Sequence, residues 1–449
     1  MKKKFLILLF CLSISLNACK ALSSTNTLEQ NYQPITKPLP EDQDTSQASI
    51  RFLEDKIKQD PDDLIAYNML GNRYLKRLRE TGNITYLDLA QKAANESLRV
   101  FPAEQNIAGL GLLAAVEYSS HEFIKAKEHS ELLLKLQPNK VYPYQLLGDS
   151  LLELGEYKKA EDIFRKMEKL KDPSNNARFG LVVRIAHFEK LKGNIAKNKT
   201  YLLEALNISL NLQPPSREST AWCLAQLGES CFSVGDYKMA EKYYLEALKA
   251  FPNYFRAMAG LAQTKAAQQD LKAAIYHYEQ VVNILPDLTF IASLADLYKL
   301  TGEIEKANQK YQLVETIAKL NQLNGVLYNR NLALFYADHD INLEQAYQQA
   351  DTEYKLRKDI YGADVLAWTA FKLGKLDIAQ ISIKEALKLG TKDAKIFYHA
   401  AMISNALGSK EVATNYLQQA LELNPEFDPV QSLIAKKLLN NLIKKSFDL

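Results

Sequence analysis

The chain has 449 residues, 47% of them hydrophobic and 24% charged, a balance that folds and excludes wholesale disorder. That length exceeds one ordinary compact domain and calls for several domains or a repeat array. A formal charge of +3, from 56 Lys and Arg against 53 Asp and Glu, gives no electrostatic case for nucleic acid. Residues 1–18 begin with Lys2, Lys3 and Lys4 and continue as an apolar run over 5–16. The run is too short to span a membrane and fits a secretory signal. Its three lysines, with no acid beside them, account for the whole formal excess, so the rest of the chain is electrically neutral. The longest later apolar run, residues 107–116, is short enough to read as a buried helix, and no transmembrane helix is expected.

The run ends in Leu16-Asn17-Ala18-Cys19, which resembles the lipobox of bacterial lipoproteins. Ordinary signal cleavage needs small residues one and three positions before the cut; Ala18 fits that rule and Leu16 does not. The resemblance implies that Cys19 becomes the first residue and carries acyl chains. Each buried CH₂ contributes about 0.8 kcal/mol, so two or three chains anchor a protein stably. Lys20 then favours the outer membrane, facing the periplasm, over the inner one. Residues 19–49 are rich in Ser, Thr, Gln and Asn, with Pro34, Pro38 and Pro40, and read as a disordered tether. Cys11 leaves with the signal. Cys223 and Cys231 lie on one helix, where a rise of about 1.5 Å per residue sets them beyond disulfide reach. They read as buried thiols.

From residue 50 onward the pattern is helical, with regular breaks. The clearest stretch is 222–252. Leu224, Leu227, Gly228 and Cys231 mark one helix face, Gly235-Asp236 breaks it, and Ala240, Tyr244, Ala247 and Leu248 mark a second before Pro252. Gly228 and Ala240 let the two helices approach closely, with Tyr237 and Tyr244 beside them. Met258, Leu261, Ala262, Ala274, Tyr278 and Pro286 repeat the pattern, and Pro286 follows Pro252 at the spacing of about 34 residues expected for such units. This series resembles the tetratricopeptide repeat. The resemblance implies an all-α, right-handed superhelical solenoid of about ten antiparallel helix pairs. A half-unit precedes the pairs, and residues 429–449 form a capping helix and tail. The array divides into segments 50–213 and 214–428 at the irregular stretch around Pro214-Pro215. Units four and eight, with degenerate or lengthened turns, are the expected bends.

In this family the helix stripe one residue beyond the packing stripe lines a concave groove, and the resemblance carries that role onto particular residues here. Unit five contributes Trp222, Ala225, Glu229 and Phe232. Unit nine contributes Tyr361, Asp364, Trp368 and Phe371, and unit ten Tyr398 and Met402. The expected binding surface therefore has Trp222, Phe232, Tyr361, Trp368, Phe371 and Tyr398 as aromatic walls, suited to an extended peptide or a helix. Units two and three place Gly111, Ala115, Gln145 and Asp149 on this stripe with no cation, which rejects a clamp for acidic C-terminal tails.

No phosphate loop, dinucleotide fingerprint, zinc-protease helix or nucleophile elbow occurs. Asp338-His339-Asp340 reads as an inter-helix loop rather than a metal site, with Asn342 as N-cap and Gln345 completing a capping box. No cofactor or metal is expected, and no catalytic residue. The resulting expectation is a non-enzymatic, lipid-anchored scaffold of the cell envelope that binds protein partners. The alternative expectation is a scaffold for polysaccharide, because aromatic faces also stack on sugars.

Overall fold

The computed structural model describes residues 34–447 apart from 171, 173 and 324–329. The expected signal and Cys19 therefore lie outside the described residues. Among the described residues the regular structure is helical, without strands. A single helix, α1 (Gln47–Gln59), precedes ten pairs: α2/α3 (Leu64–Thr81, Thr85–Val100), α4/α5 (Ile107–Ser119, Phe123–Leu136), α6/α7 (Val141–Glu153, Tyr157–Lys169), α8/α9 (Asn175–Leu191, Ile195–Leu210), α10/α11 (Arg217–Phe232, Tyr237–Ala250), α12/α13 (Phe255–Ala267, Leu271–Ile284), α14/α15 (Leu288–Leu300, Ile304–Leu323), α16/α17 (Arg330–Asp338, Leu343–Leu356), α18/α19 (Ile360–Lys372, Leu376–Ala386) and α20/α21 (Ala394–Ala406, Lys410–Leu423). α22 (Gln431–Phe447) closes the array.

The helices start and stop for local reasons. Side-chain oxygens of Asp63, Asn106, Ser174, Ser216, Asp236, Asp270, Asp287, Asp359 and Asp393 accept from first-turn N–H groups. Between the two helices of every pair the chain turns through a left-handed residue, and between α16 and α17 through two. In seven pairs it is glycine; in the others it is His121, Gln269 or Asp340. Within a pair, Gly228 is needed for close approach, since a Cβ there would lie 2.7 Å from the Tyr244 ring. Ala240 is fully buried beside it, and Cys223 and Cys231 are buried and unbridged. Asn342 is not the expected side-chain cap. It adopts a left-handed backbone (φ 48°) with no side-chain cap bond, because the loop after α16 needs two such residues, Asp340 and Asn342, to reverse.

Of the expected tether over 19–49, residues 34–49 are described and are packed or helical, and the rest lies outside the described residues. Residues 34–46 pack as a strap against the array: Ile35 is 7% exposed, Asp42 and Thr45 are buried, and Leu39 donates its N–H to Ala250 O at 3.1 Å. A short 3₁₀ turn, Gln43–Thr45, leads into α1, which begins at Gln47. Glu80 on α2 accepts a hydrogen bond from the Thr45 hydroxyl at 2.9 Å, one of the contacts holding this turn in place.

The array winds back on itself. Tyr157 at the start of α7 accepts from the Ile360 N–H of α18 at 2.8 Å, across 203 residues. Arg357 donates Nε–H to Glu153 O at 3.2 Å and pairs with the Glu153 carboxylate. The Thr391 hydroxyl donates to Leu191 O, and Asn424 Nδ2 donates to Phe232 O at 2.8 Å, across 200 and 192 residues. Partners so separated place roughly six 34-residue units in one superhelical turn. Along this seam two left-handed glycines of the first turn face backbone of the second. A Cβ at Gly155 would strike Lys358 O, and one at Gly193 would strike Gly390 O, whereas Gly302, Gly374 and Gly408 have nothing within 4 Å.

Just after α16 a histidine links two units. His339 Nε2 lies 2.8 Å from Asp296 Oδ1 of α14, and Nδ1 lies 2.8 Å from Phe335 O. Both neighbours are acceptors, so only the imidazolium satisfies both contacts. Burial alone would lower its pKa, but the bonds to Asp296 and Phe335 O, with the charges of Asp296 and Asp338, outweigh burial and raise it. Tyr311 of α15 packs edge-on against the ring at 5.0 Å and donates to the same Asp296 oxygen at 2.6 Å.

Two measurements test these statements. Gly155→Ala and Gly374→Ala share the left-handed strain of about 1–2 kcal/mol, but only Gly155→Ala adds a collision, a further roughly 1–3 kcal/mol. Urea unfolding is expected to show the larger loss for Gly155→Ala. For His339, a raised pKa gives stability that is fully present below the unfolded value of about 6.5 and is lost as pH rises through the folded value. The stability gap between the native chain and His339→Gln should therefore narrow as pH rises from about 6.5; a gap that stays constant would contradict the imidazolium.

Candidate functional site

The interior between the two superhelical turns holds a cavity of about 440 Å³. His187 and Lys190 of α8, Glu229 and Phe232 of α10 and Gln263 of α12 form one wall. Tyr361 of α18, the loop residues Thr391, Lys392 and Asp393, Lys395 of α20, and Asn424 and Phe427 form the other. Of the expected groove aromatics, Phe232 and Tyr361 meet here, although they lie far apart in sequence. Periodicity had placed Glu229 on the stripe. It had no means of finding Thr391, Lys392, Asp393, Asn424 or Phe427, because these sit in loops or at loop edges that only the superhelical winding turns inward.

Charges of both signs line this space. Lys190 Nζ lies 2.6 Å from Glu229 Oε1 and holds that carboxyl below its ordinary range against the effect of burial. Burial lowers the His187 pKa, with Lys190 adding to the effect. Burial raises Asp393, and the neighbouring Asp364 raises it further. Deeper in, Lys395 sits 3.0 Å from Asp338. Burial opposes its charge, but Asp338, Asp428 and Asp364 together hold its pKa above the usual lysine value. Asp428 is pushed up by burial, which Lys395 only partly opposes.

The other expected aromatics are packed. Trp368 is 2% exposed and Tyr398 is equally buried. The Trp368 ring stacks on His399 at 4.1 Å and on Phe371 at 5.1 Å, and its Nε1–H donates to Asp338 at 2.7 Å. Trp222 and Phe371 are half-buried against the core. The expectation of an open aromatic wall over Trp368, Phe371 and Tyr398 is therefore corrected. Unit nine packs against α20 and the capping region, and the stripe that would face a groove becomes the inter-unit core. Asp338, His339 and Asp340 diverge: Asp338 faces Lys395, His339 faces Asp296, and Asp340 pairs with Lys372 at 2.6 Å.

Models of the tetratricopeptide repeat match residues 141–172, 180–253, 225–288 and 394–427. These segments of the chain are similar to tetratricopeptide repeats, and they fall on helix pairs described above. Protein CTR9 homolog of Arabidopsis thaliana is 24% identical over 219 residues, covering 47% of this chain and 19% of the relative. Tetratricopeptide repeat protein 21A of Mus musculus is 22% identical over 291 residues, 53% of this chain and 22% of the relative. The chain thus spans about a fifth of the length of these curated relatives. Among solved structures, BtubC (BKLC) from P. vanneervenii aligns with a TM-score of 0.37 at 20% identity, covering 46% of this chain and 92% of that one. The APC/C hetero-tetramer Cut9-Hcn1 aligns with a TM-score of 0.33 at 15% identity, covering 88% and 96%.

Trp368→Ala is expected to remove core packing and lower unfolding stability by about 3–5 kcal/mol. A thermal or urea midpoint close to that of the native chain would instead mark Trp368 as a free surface ring.

Proposed function

We propose that this repeat chain is a scaffold of the cell envelope, held to a membrane by acyl chains on Cys19, which receives an extended segment of a protein partner in its interior. The observation that carries the reading is the cavity shared by the two turns. Phe232, Tyr361 and Phe427 supply apolar wall for one or two side chains. Lys190, Glu229, Lys392 and Asp393 offer both signs of charge to a polar backbone. A folded domain is too large for a space of about 440 Å³, whereas single side chains of a threaded segment fit. The anchor rests on Leu16-Asn17-Ala18-Cys19, and the outer-membrane address on Lys20.

A photo-crosslinking residue at position 232 is expected to give discrete protein adducts in the native cell, lost when Asp393 is changed to Lys. The same residue at exposed position 276 should not give them. An identical adduct pattern from both positions would overturn the interior site. Cys19→Ala should shift the chain from the membrane to the soluble fraction with altered processing; unchanged fractionation would overturn the anchor while leaving the interior site standing.

A further inference from the structure

The strap over residues 34–46 occupies a surface quite separate from the interior cavity, and its chemistry is unusually specific. Pro38 and Pro40 carry no N–H, so across residues 38–40 Leu39 supplies the backbone donor. That donor goes to Ala250 O, a carbonyl at the C-terminal end of α11. Three residues on, Asp42 Oδ1 accepts from the Arg217 N–H, the first residue of α10, at 3.4 Å. In an antiparallel pair the start of the first helix and the end of the second lie together. The strap therefore crosses the open end of the α10/α11 hairpin and serves an unpaired acceptor of one helix and an unpaired donor of the other. Ile35 and Leu39 bury aliphatic side chains in the adjoining core. The acids fall on cations: Asp42 and Asp44 lie 3.2 and 2.7 Å from Lys76 Nζ, and Glu41 lies 3.6 Å from Arg217. Arg217 stacks over Phe251 at 4.1 Å, and its buried Nε has no hydrogen-bond partner.

We infer that this hairpin end is a docking site for an extended segment in which two aliphatic residues four apart precede a cluster of acids, and that the strap is its resident, exchangeable occupant. The recognised partner is a protein segment of the same chemistry, with proline beside the donor and a carboxylate three residues beyond it. Two aliphatic side chains, two bonds to helix ends, the Thr45–Glu80 bond and ion pairs that are partly exposed are opposed by the entropy of ordering the whole strap, so occupancy is balanced closely enough for exchange. The prolines lessen that entropy and would do the same for a competing segment.

The test uses the full chain with Ile35→Asp and Leu39→Asp, which expels the strap, and a fluorescent peptide of residues 34–46 as probe. The expelled-strap chain is expected to bind the peptide at least about tenfold more tightly than the native chain. It should retain native helicity by circular dichroism. Lys76→Glu in the same background, or Glu41→Lys, Asp42→Lys and Asp44→Lys in the peptide, should abolish the binding. Three outcomes overturn the inference. In the first, the folded variant does not bind. In the second, binding is indifferent to the charge changes. In the third, helicity or thermal stability collapses when the strap is expelled, which would make the strap a fixed part of the fold.

Discussion

The structure depends on what happens at the ends of its helices. Each helix leaves backbone donors at its start and acceptors at its end without intrahelical partners. In an open solenoid water satisfies them, and stability is a sum of terms between neighbouring repeats. Here the second superhelical turn satisfies them for the first. Glu153 O, Leu191 O and Phe232 O, each at the end of a first helix, receive Arg357, Thr391 and Asn424. The Ile360 N–H, at a helix start, meets the Tyr157 hydroxyl. The glycines at 155 and 193 follow from this, since only a residue without Cβ lets the loops come close enough for those bonds.

Closing the seam turns a surface into an interior, with electrostatic consequences. Arg330 binds Asp359 through two bonds of 2.8 and 3.0 Å and Glu353 at 2.8 Å, and Arg357 joins this cluster to Glu153 across the seam. A buried network of this kind is costly to break from one side, about 3–5 kcal/mol when a single partner is removed. Removing one member would therefore strand a buried charge at the contact between unit eight and unit three. The same enclosure raises Asp393 and Asp428 and converts the Trp368 stripe from groove wall to core.

Much of this was legible in the sequence wherever the cause is local. The repeat period, the Gly228–Tyr244 contact, the breaks between helices and the unbridged Cys223 and Cys231 all follow from neighbours within one or two turns. The failures share one origin. Trp368 sits on the stripe that lines a groove in a single repeat, but whether that stripe is open depends on how tightly the array winds, which no local pattern encodes. Thr391, Asn424 and Asp393 look like ordinary loop or capping residues until the winding sets them against units about 200 positions earlier. The strap misled for the complementary reason. Its composition is that of a tether, yet Ile35, Leu39 and Asp42 answer the particular groups left unpaired at one hairpin end.

Strap and seam are two forms of the same solution. At units three to five, loops of the returning chain supply donors and acceptors to helix ends; at the α10/α11 end, which faces unit one, the strap supplies them. Each such bond is individually modest, about 0.5–1.5 kcal/mol net, because water is an adequate substitute. Water cannot substitute for the apolar contact beneath, nor for the charges that fix the register. A seam held in this way resists uniform opening while allowing one segment to replace another of like chemistry. Selectivity then comes from the pairing of a backbone donor, an aliphatic anchor and a carboxylate at fixed spacing, and not from a deep pocket.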